Sequence, residues 1–263
     1  AALKDVDESS DDGYEQALQK LFGTLQYRAV PYEGVWQAIK YPWHLLQLLP
    51  ILLNEITEQS IHPSATVHET AVITGNVVID EGAKIFPHAT IVGPCYIGKR
   101  SIVANNALVR GSCIGDDCVV GYSCEAKDSL LHSHVWSHMS YIGDSVIGRN
   151  VSFGGGSVTG NLRFDEQSVS SKVNGKEVNT GLIKFGNIIG DDCRLGIQSG
   201  TSPGVKIGSG SFIGSKVLVE EDVPEKSFLR MRNGTVQILE NKADAPQPEA
   251  RESFRKAVED RNK

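Results

Sequence analysis

From Ile61 onward an aliphatic residue recurs every six positions. The units open at Ile61, Val67, Ile73, Ile79, Ile85, Ile91, Ile97, Val103 and Val109, and after one five-residue step continue at Ile114 and Val120. A second series opens at Ile142, Ile147 and Phe153. A third opens at Ile189, Leu195, Thr201, Ile207, Ile213 and Val219. An amphipathic helix would repeat near 3.6 residues, so a period of six excludes it. The pattern predicts a mainly β solenoid of short parallel strands, with the aliphatic side chains stacked inside and each coil touching only its neighbours. Gly98, Gly115 and Gly196 follow such aliphatics, where a corner leaves no room for a side chain. The period lapses between Ala126 and Tyr141 and breaks again from Gly160 to Asn187. In the second break KVNGKEV (172–178) places strand-like flanks around Asn-Gly, a strong hairpin signal. Insertions into a solenoid gather on one face and often carry function.

Outside the repeat, helical stretches are expected from Tyr14 to Leu21 and from Pro42 to Glu55. The organisation read from these patterns is a helical segment over 1–57, a β-helix over 58–224 with an insertion at 160–187, and a tail over 225–263. In the tail, Pro246 and Pro248 precede a charged stretch that reads as a linker and an exposed helix. Apolar residues make up 40% and charged residues 22% of the chain, as in ordinary soluble proteins. The net charge of −6 gives no basic footprint for nucleic acid. The longest apolar run, His44 to Leu53, is too short to cross a bilayer, and no signal peptide opens the chain. A cytoplasmic protein without membrane or nucleic-acid partners is expected. All five cysteines fall four residues after an opening aliphatic, the inward small position, where a thiol serves as a small hydrophobe. Such thiols suit a reducing compartment rather than a disulfide or metal framework.

The first break holds His132, His134 and His138 beside Lys127. Their spacing on a non-helical stretch fits no zinc template, so no metal is expected. A histidine titrating near neutrality is a natural general base. The segments SHMSYIGDSVIG (137–148) and FGGGSVTGNLRFD (153–165) resemble the acetyltransferase signature of the bifunctional N-acetylglucosamine-1-phosphate uridylyltransferase/glucosamine-1-phosphate acetyltransferase family. With NTG (179–181), KFG (184–186) and IGDD (189–192), the likeness is to the archaeal type of sugar-1-phosphate nucleotidylyltransferase and covers most of residues 14–224.

That resemblance implies a left-handed winding of the β-helix, a homotrimer with sites in subunit clefts, and acetyl-CoA as acyl donor. It implies that His138 is the catalytic base removing a proton from the amine of an amino-sugar 1-phosphate, of the glucosamine- or galactosamine-1-phosphate type. Backbone N–H groups and small residues would stabilise the oxyanion. Asn161 matches a residue that orients substrate, and Arg110, Lys127, Tyr141 and Lys184 match positions around the sugar phosphate, where cations form charge-assisted bonds. The acetyl-CoA end of the site falls at Gly196, Ile197 and Ser199. Departures lie at Ser152, Gly155 and Ile197, where the family commonly has Asn, Ala and Ser.

GVWQAIKYPWHLL (34–46) resembles the closing segment of sugar nucleotidylyltransferase domains, with Ala38 and His44 at its two acidic positions. The sequence holds no Gly-Gly-x-Gly-Thr-Arg nucleotide loop, so no nucleotidylyltransferase activity is expected, and the helical stub is expected to cap one end of the solenoid. The competing reading is a non-catalytic sugar-nucleotide-binding or trimeric scaffold module that partners a separate nucleotidylyltransferase.

Overall fold

The computed structural model describes Val6 and residues 12–260. Their contacts divide the chain into two units, Ala1–Trp36 and Gln37–Lys263. The first contains helix α1 (Gly13–Phe22). The second contains helix α2 (His44–Asn54), all the strands and helix α3 (Glu252–Asp260). The compact units thus part at residue 36, and α2 goes with the strands.

The expected parallel β-helix is present. Its strands of two or three residues form three sheets, each successive strand in a sheet coming from the next coil. In the first sheet Ile61 lies beside Ile79, eighteen residues on, and the column continues through Ile97, Ile114, Leu131, Ile147, Ile189 and Ile207. The second sheet stacks Val67, Ile85, Val103, Val120, Ser137, Phe153, Leu195 and Ile213. The third runs from Ile73 through Ile91, Val109, Ala126 and Ile142. From Ile79, Ile85 and Ile91 onward these columns form one continuous buried core, against which Val67 and Ile73 of the first coil pack half-buried. A strand alternates its side chains between faces, so one inward residue per short strand is what a solenoid coil requires.

The coil does not lapse between 126 and 141. Strands Glu125–Lys127, Leu130–Leu131, Trp136–Ser137 and Tyr141–Gly143 carry it through, with Ala126, Leu131 and Ser137 at the inward positions. Ser137 is the reason the period looks broken. It sits where neighbouring coils place Val120 and Phe153, and its hydroxyl donates to the Val119 carbonyl at 3.2 Å.

Cys95, Cys118, Cys124 and Cys193 are buried as expected, but Cys113 is only partly so. The unit from Val109 to Ile114 has five residues, which places Cys113 immediately before the inward Ile114, and alternation turns it outward. Ser112 fills the inward corner instead.

The 160–187 break does hold a hairpin, Ser170–Val173 with Lys176–Asn179. It packs with α2: Trp43 and Phe185 form a small core with Val169, their rings 6.2 Å apart. Helix α2 touches the mid-solenoid strand Leu130–Leu131, so it flanks the coils rather than capping an end.

The tail departs most from expectation. Ser227–Arg232 joins the second sheet beside Phe212–Ile213 and pairs with Thr235–Glu240 around Asn233-Gly234. The helix beyond is not a free solvated element. Arg255 is buried and bonded to Asp117, and Val258 packs on Phe86, Ile102, Ala104 and Val119. Among the described residues no helix is long and apolar enough to cross a membrane.

Candidate functional site

The outward positions of the third sheet align in two columns. Leu108, Glu125, Tyr141 and Val158 form one, and Val92, Arg110, Lys127 and Gly143 the other. Stacking by coil therefore brings together residues that lie sixteen to eighteen apart in sequence. The Asp144 carboxylate is the hub. It accepts Asn161 Nδ2 at 2.5 Å and Lys127 Nζ at 3.1 Å, and Asn161 Nδ2 also donates to the Tyr141 hydroxyl at 2.9 Å. The Lys127 and Asp144 side chains are only 10% and 12% exposed. Lys127 pairs with Asp128 as well. Burial pulls its ammonium down, yet the two carboxylates outweigh burial and hold it above the usual lysine value. Burial, aided by Asp144, pushes the Tyr141 phenol up, so it stays protonated and able to donate. Asn161 Oδ1 accepts no hydrogen bond among the described residues, which leaves it able to accept one.

Arg110 reaches Glu125 through Nε at 2.8 Å and Nη2 at 2.6 Å. The expectation that Arg110 and Lys127 meet a phosphate thus encounters a network already closed on the chain's own carboxylates. Two cations face Glu125, Asp128 and Asp144. Lys184 is joined to this network by backbone only: Leu162 bridges Lys184, and Phe185 N–H donates to the Asn161 carbonyl at 2.9 Å. Its side chain is exposed and forms no ion pair among the described residues.

His138 stands at the corner between the second and third sheets, three residues before Tyr141. Its ring is exposed and makes no side-chain hydrogen bond among the described residues. One glycine keeps this corner clear. A Cβ at Gly121, one coil below, would collide with the Ser137 carbonyl. A Cβ at Gly155, one coil above, would lie 3.5 Å from His138 Cδ2, an ordinary contact, so an alanine would fit against the ring there. Beside the ring is a cavity of about 370 Å³, lined among others by Val119, Trp136, Phe153 and Val258. The next corner upward carries Gly196 and Ile197, the latter 54% exposed. Ser199 differs from its expected role. It is 1% exposed, and its hydroxyl donates to the Gly196 carbonyl at 2.9 Å, so it ties the turn rather than facing a ligand.

His132 and His134 do not converge with His138. His132 Nδ1 meets its own neighbour Ser133, while burial, only partly offset by Asp117, holds His134 below the usual histidine value. Among the described residues no cluster of His, Cys, Asp and Glu could hold a metal. Sequence reading missed Asp144 and Glu125. Their spacing of about one coil from Lys127 and Arg110 was the available signal, masked by the apparent lapse of the period there.

The GMPPB C-terminal domain family matches residues 56–181. The bifunctional protein GlmU of Methanococcus maripaludis is 40% identical over 222 residues, covering 84% of this chain and 53% of that protein. The bifunctional sugar-1-phosphate nucleotidylyltransferase/acetyltransferase of Sulfurisphaera tokodaii is 36% identical over 207 residues, covering 78% of this chain and 51% of that protein. The UDP-N-acetylglucosamine acyltransferase structure of Francisella novicida is 15% identical, covers 68% of this chain and 69% of its own, and has a TM-score of 0.40. The chain spans about half the length of the curated relatives it matches. The hexapeptide coils and the 137–165 signature agree with this similarity: over the half of their length that it spans, the chain is a relative of the bifunctional sugar-1-phosphate nucleotidylyltransferase/acetyltransferases.

Proposed function

We propose that this chain transfers an acetyl group to the amine of an amino-sugar 1-phosphate, of the glucosamine- or galactosamine-1-phosphate type, as a homotrimer. The observation that carries the reading is His138: an exposed imidazole with no side-chain hydrogen bond among the described residues, at a corner cleared by Gly121, with an apolar-walled cavity on one side, Tyr141 on the next strand and Asn161 one coil further on. An ammonium is no nucleophile, and His138 takes the proton that makes it one. The Asn161 Oδ1 acceptor and the Tyr141 O–H donor orient the sugar. Arg110, whose side chain is 43% exposed, exchanges Glu125 for the phosphate with help from Lys184. Lys127 instead holds Asp144 and through it Asn161, and acts as a positioning residue.

Acetyl-CoA supplies the acyl group when bound. The cavity beside His138 and the exposed Ile197 corner suit its thioester end, with Gly196 allowing the close approach of the coils. We assign these residues no nucleotidyl transfer. His138→Ala is expected to lower acetyl transfer to glucosamine-1-phosphate by at least about 100-fold, the low end for losing a general base, with thermal stability unchanged. Wild-type turnover in that variant sinks the mechanism.

One observation favours the non-catalytic reading, a sugar-nucleotide-binding or trimeric scaffold module. Arg110 and Lys127 already have carboxylate partners, which a phosphate must displace. Calorimetric titration separates the two. A native-state ligand raises the melting temperature, so acetyl-CoA that neither binds nor shifts it leaves the scaffold role.

A further inference from the structure

The outward column of the second sheet reads Lys84, Ile102, Val119, Trp136, Ser152, Arg194. Three consecutive coils thus turn a large apolar residue away from the core. Ile102 is nevertheless fully buried, because the chain returns across this face as a strap over residues 245–260. The strap is fastened coil by coil. The Pro246 carbonyl accepts Arg194 Nη2 at 3.2 Å, and the Arg251 guanidinium lies 5.5 Å from the Trp136 ring centre. Arg255 Nη1 meets Asp117 at 2.7 Å and Glu259 meets Lys84 at 2.7 Å. Val258 lies between these last two anchors. It reaches the cavity that His138 lines from the other side, together with Val119, Trp136 and Phe153.

We propose that Val258 is a specificity-determining residue: the C-terminal strap closes one wall of the His138 cavity, and Val258 restricts the acyl group accepted there to short chains. The inference rests on the acyl-transfer reading above. A β-branched side chain is stiff at χ1, and ion pairs three residues before and one after hold its backbone. The wall therefore yields little to a longer chain. Size discrimination in an apolar pocket is worth about 10- to 200-fold per methylene, so one residue at the wall is enough to grade acyl donors.

The test uses the full chain carrying H138A, which holds donor without turnover, titrated calorimetrically with acetyl-, butanoyl- and hexanoyl-CoA. In H138A alone the association constant should fall with chain length. Val258→Ala should raise the hexanoyl-to-acetyl ratio by about tenfold or more, and Val258→Phe should lower it. Ratios unchanged in both variants overturn the inference, as does absence of binding by every donor. If V258A does not fold, V258F, which adds apolar surface to the strap, still decides. The parent reading is scored separately on the wild type. Donor binding without acetyl transfer to glucosamine-1-phosphate sinks that reading alone.

Discussion

Asp144→Asn tests the network under the third sheet directly. The substitution keeps the size of the side chain and removes its charge. Lys127 would be left with Asp128 as its only anionic partner, and that carboxylate is 53% exposed. Breaking a buried ion pair by removing one partner costs about 3–5 kcal/mol, because the remaining charge stays desolvated. Asp128 compensates in part, so the expected loss is about 2–3 kcal/mol. For a domain of this size that lowers the melting temperature by roughly 4–12 °C. Urea denaturation gives the loss as a fall in midpoint at constant slope. The pairing makes a sharper claim through a double-mutant cycle. Lys127→Met alone removes the stranded ammonium, and K127M/D144N should be more stable than the sum of the two single losses predicts, by about 1 kcal/mol or more. Additivity within about 0.5 kcal/mol would refute the pairing as the source of the cost. The pair also fixes a pH direction. Lys127 is raised above its unfolded value, so its contribution is complete below the ordinary lysine pKa and lost as pH rises through the folded-state value.

Docking of the strap should depend on acid. Burial raises Asp117, but Arg100 and Arg255 outweigh it and hold the carboxyl below its usual value. Its stabilisation is therefore complete above the unfolded carboxylate pKa of about 4 and lost as pH falls through the folded-state value. Hydrogen exchange across 252–260 should accelerate there before the coils lose protection, and simultaneous loss would count against a separately anchored strap. The thiols should be inert in the native protein. Burial pushes Cys118 up to about 12 and Cys95, Cys113 and Cys193 to about 11. Thiolate is the reactive form, so a disulfide reagent at pH 8 should titrate the five cysteines only after denaturant is added. Rapid native labelling of Cys118 would contradict its inward placement.

The period of six was enough to specify the coil, because one inward aliphatic in each short strand is a local requirement repeated many times over. Ile61 to Val109 could be placed in register without any tertiary information. The same locality made the signature around His138, Tyr141 and Asn161 legible, since those residues fall within little more than one coil of contiguous chain. Legibility failed where a coil kept its shape but changed its chemistry. Ser137 replaced an aliphatic in the core column and Val109 to Ile114 spanned five residues, so a continuous coil looked interrupted and Cys113 was assigned the wrong face. What the tertiary structure alone decided is who meets whom across coils and from the ends of the chain. Asp144 closing on Lys127 and Asn161, Glu125 on Arg110, and the strap bringing Val258 into the wall of the cavity that His138 lines all join residues through spatial packing rather than sequence distance. Such contacts are fixed by the pitch of the solenoid and by apolar surface left on its outer face, neither of which a single repeat unit encodes.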